Sequence, residues 1–140
     1  MMIVSACLAG VLCRYNGQAV THPAVMDLVK NGQAIPLCPE ILGGLPIPRP
    51  CGEIRERRVF SINGEDVTRE YVTGSQIAVE IAKLAGCKKA ILKSKSPTCG
   101  CGIIYDGTFS VRLIKGDGVF CALLKENGIQ VCTEETAEEA

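Results

Sequence analysis

Residues 34–50, AIPLCPEILGGLPIPRP, change abruptly from an apolar strand to a stretch that cannot be regular structure. AIPL (34–37) has the length and composition of a buried strand, and Cys38 and Glu40 follow it almost directly. The Gly/Pro/Arg-rich residues 39–58 are predicted to form a long loop, and a loop of that length in a small domain is usually functional or disordered. A strand that ends in a thiol and a carboxylate draws attention to the ends of the other strands.

Strands and helices alternate on both sides of this stretch. Further short apolar strands are predicted at residues 1–6, 89–95 and 129–132. Helices are predicted from Pro23 to Asn31, from Thr68 to Ala85 and from an Asp117 cap to Asn127. The Asn63-Gly64 pair is a turn signal for a small hairpin. This alternation predicts one α/β domain over residues 1–140, with a mostly parallel, doubly wound sheet whose ligand site lies at the carboxyl ends of its strands.

The balance of basic and acidic residues indicates which class of molecule the protein binds. The chain has 140 residues, and its 15 basic and 15 acidic side chains leave no net charge. A protein that binds duplex nucleic acid needs a broad basic surface, so a small-molecule partner is favoured over long nucleic acid. The opening MMIVSA lacks the basic residues of a signal peptide, and no run of about 18 apolar residues occurs in the sequence, which predicts a cytoplasmic protein without a membrane partner.

Nine cysteines are unusually many for this length, and an odd number without a secretory signal argues against a disulfide framework. The usual zinc signature is also missing, because His22 is the only histidine and no C-x2-C pair occurs. The contiguous cysteine run of ferredoxins is absent as well. Any iron-sulfur site would therefore have to collect its ligands from distant positions.

Three cysteines follow predicted strands and so belong to the ligand-binding edge: Cys7, Cys38 and Cys99. They would converge if their strands are neighbours in the sheet. Position alone leaves the loop cysteines Cys13, Cys51 and Cys101 undecided. Cys87 and Cys121 are interpreted as core or incidental thiols. Cys132 ends the last strand and is only a weak candidate for a ligand.

Three thiolates instead of four would leave one iron of a cubane cluster without a protein ligand, and such an iron can act as a Lewis acid. Glu40 and Ser96 lie near the strand-end cysteines along the chain and could handle protons there. The alternatives remain open at this point: Glu40 could pair with an arginine, and Ser96 before Pro97 could simply form a turn.

Three motifs in order resemble one family closely: SACLAGVLCRYNG (5–17), CPEILGGLPIPRP (38–50) and LKSKSPTCG (92–100). It is the thiouracil desulfidase family. The resemblance implies a Rossmann-like three-layer sandwich that carries a 4Fe-4S cluster on Cys7, Cys38 and Cys99. It also implies that the family's catalytic glutamate and serine correspond to Glu40 and Ser96. Cys13 is not counted as a ligand, since proteins with this fold can carry an apolar residue there.

The implied activity is a non-redox desulfuration by an enzyme of the hydrolase or lyase type acting on a C=S bond. Thiouracil and water give uracil and hydrogen sulfide, with the substrate sulfur on the open iron and with Glu40 and Ser96 activating the water. Arg14, Arg49 and Lys93 are candidates for orienting substrate. These three residues could instead be surface charges or form local ion pairs. For the separate charge cluster of Arg55, Arg57 and Arg58, this second interpretation is favoured.

The chain departs from the family pattern at Asn16, Thr98 and Val111, where Asp, Ser and Gly are expected. The first two keep short polar side chains, so the ligand scaffold is expected to be unharmed. Val111 removes a conformationally permissive position and puts the shape of its loop in question.

Two alternatives compete with this prediction. The same chemistry could act on a thiouridine nucleoside or on thiolated tRNA. The chain could also be a non-catalytic iron-sulfur or zinc-binding module, which four cysteine ligands and the absence of desulfuration would indicate.

Overall fold

The computed structural model describes residues 1–137 and gives an α/β architecture. The strands are β1 Met2–Ser5, β2 Ala34–Leu37, β3 Gly52–Arg55, β4 Arg58–Ser61, β5 Lys89–Leu92, β6 Ile103–Tyr105, β7 Leu113–Lys115 and β8 Gln130–Thr133. The helices are α1 Pro23–Lys30, α2 Pro39–Leu42, α3 Thr68–Leu84 and α4 Val119–Glu126, with a 3-10 turn at Ala6–Ala9.

A four-stranded sheet in the order β2-β1-β5-β8 forms the centre, and all its pairings are parallel. Successive residues of β1 point to opposite faces, as strand geometry requires. Ile3 packs with the buried side chains of α3 and α4, whereas Val4 packs with Val25 of α1 and with Leu8. The sheet is thus covered by helices on both faces, which confirms the predicted three-layer α/β fold.

The structure corrects two local predictions. Residues 39–58 are not one long loop, because they contain the short helix α2 and the strand β3, which pairs with β4 as a hairpin. The second wrong prediction is the Asp117 cap. Gly118 occupies the cap of α4, and the Asp117 carboxylate instead accepts hydrogen bonds from the Gly102 backbone N–H and from Lys125. The Asn63-Gly64 turn is present, with the Gly64 N–H bonded to the Ser61 carbonyl and a β-bridge between Phe60 and Asp66.

Two glycines allow α2 to lie directly against α3. A Cβ at Gly74 would overlap the Pro39 carbonyl oxygen, and a Cβ at Gly43 would overlap the Glu70 carbonyl oxygen. This close backbone approach fixes where the first turn of α2 sits, and that turn carries Glu40.

Replacing Gly74 by alanine is expected to lower the free energy of unfolding by about 1–3 kcal/mol, because the added methyl group forces the two backbones apart. The loss should appear in chemical denaturation although alanine favours helix. Thr73→Ala, at an exposed position of the same helix, is the matched control and should be close to neutral. Equal stability of the two variants would contradict the close contact between α2 and α3.

Candidate active site

A cavity of about 480 Å³ opens at the carboxyl ends of β1, β2 and β5. Each of these strands leads into one of the strand-end cysteines, and Cys7, Cys38 and Cys99 all line the cavity. They meet because β1 lies between β2 and β5 in the sheet. The structure therefore brings together three thiols that are far apart in the sequence, and their strands are neighbours, as the prediction required.

The three thiols differ in their surroundings. Cys7 and Cys99 are 8% and 6% exposed, and Cys38 is half-buried. Burial raises the pKa of Cys7 to about 11 and raises the pKa of Cys99 well above its usual value, while the Ser5 hydroxyl near the Cys99 sulfur partly opposes the latter shift. Buried thiolates are costly unless a cation accompanies them, so Cys7 and Cys99 are protonated in the free protein and would release protons on binding a metal group.

Cys13 is a fourth thiol in the cavity and is 4% exposed. The Cys13 thiol is the main cause that lowers the pKa of Cys38 to about 7, and the Cys38 thiol donates to the Cys13 carbonyl oxygen at 3.9 Å. Cys51 also lines the cavity. Cys101 does not, and it lies instead beside Cys121 and Asp117.

Glu40 is fixed by donors on both carboxylate oxygens. Oε1 accepts hydrogen bonds from Arg49 Nε at 3.0 Å and from the Tyr71 hydroxyl at 3.1 Å. Oε2 accepts one from the Thr98 hydroxyl at 2.8 Å. A carboxylate offers about four lone-pair positions, so one position on Oε2 remains for a further partner such as water. The side chain is 16% exposed and lines the cavity, where such a water can reach it.

Ser96 shapes the turn that carries Cys99. Its Oγ accepts hydrogen bonds from the backbone N–H groups of Thr98 and Cys99, both at 3.0 Å. The predicted turn-forming role is therefore present. Since the hydroxyl is the acceptor in both bonds, its own proton is not used by them and can be donated into the cavity that Ser96 lines.

The three basic residues that are candidates for orienting substrate differ in the contacts they make. Arg49 is 7% exposed, and its guanidinium also donates to the carbonyl oxygens of Cys13 at 2.8 Å and Pro46 at 3.2 Å. It is thus engaged with protein acceptors, and this geometry favours a role in positioning Glu40. Lys93 lines the cavity but forms an ion pair with Glu134 at 3.1 Å. Arg14 lines the cavity and lies over the Tyr15 ring at 5.6 Å.

The charge cluster after β3 lies on the surface, as its sequence suggested. Arg55, Arg57 and Arg58 are exposed, with Arg55 over the Phe60 ring and Arg58 paired with Asp66.

Two contacts of Glu40 were not anticipated. Tyr71 is 2% exposed on α3 and looked like an ordinary core residue by its helical spacing. Thr98 is 1% exposed and stands where the family pattern has serine, and its hydroxyl donates to the Glu40 carboxylate. The motif around Cys99 carried this signal, whereas no local pattern pointed to Tyr71.

The hairpin β6–β7 closes one side of the cavity. Glu53 accepts the backbone N–H groups of Gly107 and Phe109, both at 3.1 Å, and so anchors the hairpin loop to β3. Phe109 and Val111 line the cavity mouth. Val111 has φ of 64°, the left-handed conformation that disfavours a β-branched residue, so the loop keeps a shape suited to glycine.

Comparison with known proteins identifies the family. The family model described as 2-thiouracil desulfurase matches residues 2–136. The uncharacterized protein YbbK of Bacillus subtilis (strain 168) is 40% identical over 144 residues, which cover 96% of this chain and 95% of YbbK. A solved structure of the 4Fe-4S-dependent thiouracil desulfidase TudS superposes with a TM-score of 0.93 and 41% identity, covering 99% of this chain and 93% of that one. Within residues 1–137, the helices are too short or too polar to cross a membrane.

Proposed function

Because the chain belongs to the 2-thiouracil desulfurase family, we propose that it is an enzyme that hydrolyses the C=S bond of a thiolated pyrimidine, using a 4Fe-4S cluster held by Cys7, Cys38 and Cys99. One observation carries the proposal: three thiols from three adjacent strands line one cavity together with a fixed carboxylate. The similarity to a 4Fe-4S-dependent thiouracil desulfidase at 41% identity supports both the cofactor and the substrate class.

The donor set fits such a cluster. Thiolates are the ligands that iron-sulfur clusters use. Within residues 1–137, the donor atoms that converge to 4.8 Å of one another in a group of three belong to Cys101, Asp117 and Cys121. At least one pair among the sulfurs of Cys7, Cys38 and Cys99 is therefore more than 4.8 Å apart, which suits a cluster better than a single ion. When bound through three thiolates, the cluster would supply one open iron that binds a soft thiocarbonyl sulfur and makes the adjacent carbon electrophilic.

The protein's own groups would handle the water and its protons. Glu40 accepts a proton from a water molecule through the remaining lone-pair position on Oε2 while the oxygen of that water bonds to the C=S carbon. Ser96 donates a hydrogen bond from its hydroxyl to the oxygen of the same water and so orients it. Glu40 then returns its proton to the departing sulfur as the C–S bond breaks, and the second water proton passes from the new hydroxyl to the sulfur by the same carboxylate. The products are the pyrimidine carbonyl compound and hydrogen sulfide, with no net oxidation or reduction.

The donors around Glu40 keep its carboxylate in this orientation. Arg49 and Tyr71 hold Oε1, so Oε2 is the oxygen that faces the reaction. Pre-positioning of this kind lowers the cost of reaching a reactive arrangement. We propose Arg49, Tyr71 and Thr98 as positioning residues, and Arg14 and Lys93 as cavity cations that orient a polar pyrimidine.

Anaerobic reconstitution followed by a sulfide-release assay tests the proposal. We expect four irons and four inorganic sulfides per chain, and hydrogen sulfide together with uracil from 2-thiouracil or 4-thiouracil. Thiouridine and thiolated tRNA belong in the same assay, because their turnover shows whether the cavity accepts a ribose or a polynucleotide. A protein that holds the cluster but releases sulfide from none of these substrates would be a non-catalytic iron-sulfur module, and the proposed activity would be wrong.

A further inference from the structure

A second group of metal-ligating side chains lies outside the cavity. The sulfurs of Cys101 and Cys121 and a carboxylate oxygen of Asp117 all lie within 4.8 Å of one another. Cys101 follows the Cys99 turn, Asp117 lies just before α4, and Cys121 is in the first turn of α4. We propose that these three residues form a separate site for a thiophilic divalent cation, Zn²⁺ by the chemistry of the donors.

Two thiolates and one carboxylate suit Zn²⁺, which takes four ligands of sulfur, nitrogen or oxygen in a tetrahedral arrangement. Mg²⁺ and Ca²⁺ take six or more oxygen ligands, which this group does not offer. Water supplies the fourth ligand of the zinc. It can enter because the Asp117 side chain is 26% exposed and Cys101 is half-buried, while Cys121 closes the inner side at 0% exposed.

The surroundings hold the carboxylate in place for this role. The Gly102 backbone N–H donates to Asp117 Oδ1 at 2.8 Å, and Lys125 Nζ lies 3.0 Å from Oδ2. Each oxygen keeps a second lone pair, so the carboxylate can accept these bonds and still bind a cation. Hydrogen-bonded ligands of this kind are the rule at protein metal sites.

Lys125 also balances the charge of the group. Two thiolates and a carboxylate carry three negative charges, which a divalent cation and one ammonium group neutralise. A partly buried group of donors is stable when its charges are compensated in this way.

The site lies where the Cys99 turn meets α4. The Phe120 N–H already bonds to the Thr98 carbonyl at 2.9 Å, and the Gly118 N–H bonds to the Gly100 carbonyl at 2.7 Å. A cation bound to Cys101 on one side and to Asp117 and Cys121 on the other would join the same two segments. Its role is therefore structural: it clamps the turn that presents Cys99 to the cavity.

Zinc binding to the cluster-loaded protein tests the inference, because the three cluster ligands Cys7, Cys38 and Cys99 are then occupied. After anaerobic dialysis with Zn²⁺ and removal of the excess, we expect one zinc per chain in the wild type. Zinc should be absent from Cys121→Ala and from Asp117→Asn. Asparagine keeps the shape of the aspartate side chain, and alanine is smaller than cysteine, so neither substitution introduces a clash. Cobalt in place of zinc should show a sulfur-to-metal charge-transfer absorption in the wild type alone of these three proteins.

Cys132→Ser is the matched control. Cys132 is a nearby half-buried thiol, but it lies on the other face of the sheet beside Ile91 and donates to the Ala90 carbonyl. Zinc should raise the melting temperature of the wild type and of Cys132→Ser by roughly 5 °C, and should leave Cys121→Ala unchanged. A chain in which Cys7, Cys38 and Cys99 are all serine should still bind one zinc, which separates this site from the cluster.

Three results would overturn the inference. One is a zinc content that is the same in the wild type and Cys121→Ala. Another is a loss of zinc in Cys132→Ser equal to that in Cys121→Ala. The last is a Cys101–Cys121 disulfide, found by peptide mapping of protein that was kept free of oxygen.

Discussion

Replacing Glu40 by glutamine is expected to lower the rate of sulfide release by about 10²–10⁴-fold while the iron content stays at the wild-type level. Glutamine has nearly the same shape and its amide oxygen can still accept bonds from Arg49 and Tyr71, but it cannot take a proton from water. The measurement is kcat for sulfide release on reconstituted protein, with iron determined on the same sample. Glu80→Gln, an exposed glutamate on α3, is the control and should keep full activity.

The iron content separates a base from a merely structural carboxylate. A loss of rate in Glu40→Gln that follows a loss of iron would place Glu40 among the positioning groups. Full activity in Glu40→Gln would remove Glu40 from the mechanism.

The strand-end cysteines could be found from the sequence for a simple geometric reason. Parallel strands present their carboxyl ends at the same edge, so any thiol directly after a strand is placed there once the strand is recognised. Cys7 and Cys38 follow strands that are short, apolar and easily identified. Cys99 lies a few residues further on, and the Ser96 turn brings it back to the edge.

The contacts that orient Glu40 could not be predicted in the same way. Arg49 reaches back across α2 to a carboxylate nine residues earlier, and Tyr71 arrives from a helix whose spacing indicates only a buried face. Both depend on the contact between α2 and α3, and that contact depends on Gly43 and Gly74. The Gly/Pro-rich composition of residues 39–58 suggested a loop, because a four-residue helix is too short to show a periodic pattern.

The sequence also could not predict the group of Cys101, Asp117 and Cys121, because its members are far apart along the chain. The sequence argument against zinc rested on the close pairs that zinc fingers use, but Cys101 and Cys121 are brought together by the packing of α4 against the Cys99 turn. The position of Cys121 on a predicted helix suggested a core residue, and Cys121 does pack in the core. A residue can belong to the core and still present its sulfur to a neighbouring donor.

Replacing Cys38 by serine is expected to abolish cluster assembly and, with it, sulfide release. A serine oxygen is a poor substitute for a thiolate on iron, and two remaining thiols leave the cluster without one of its three ligands. Iron and sulfide per chain after anaerobic reconstitution, together with the visible absorption of the cluster, are the measurements. Cys132→Ser, outside the cavity, should assemble the cluster as the wild type does.

Cys13→Ser tests whether Cys13 is a fourth ligand of the cluster. Cys13 lies in the same cavity and its thiol influences Cys38, so it is the residue best placed for that role. With three-cysteine ligation, Cys13→Ser should keep four irons per chain, and the loss of the thiol beside Cys38 should change only the electronic signature of the cluster, seen by EPR of the reduced protein. Loss of iron in Cys13→Ser as severe as in Cys38→Ser would mean four cysteine ligands. No iron would then be free for the substrate sulfur, and the chain would fit an electron-transfer or sensing module better than a desulfidase.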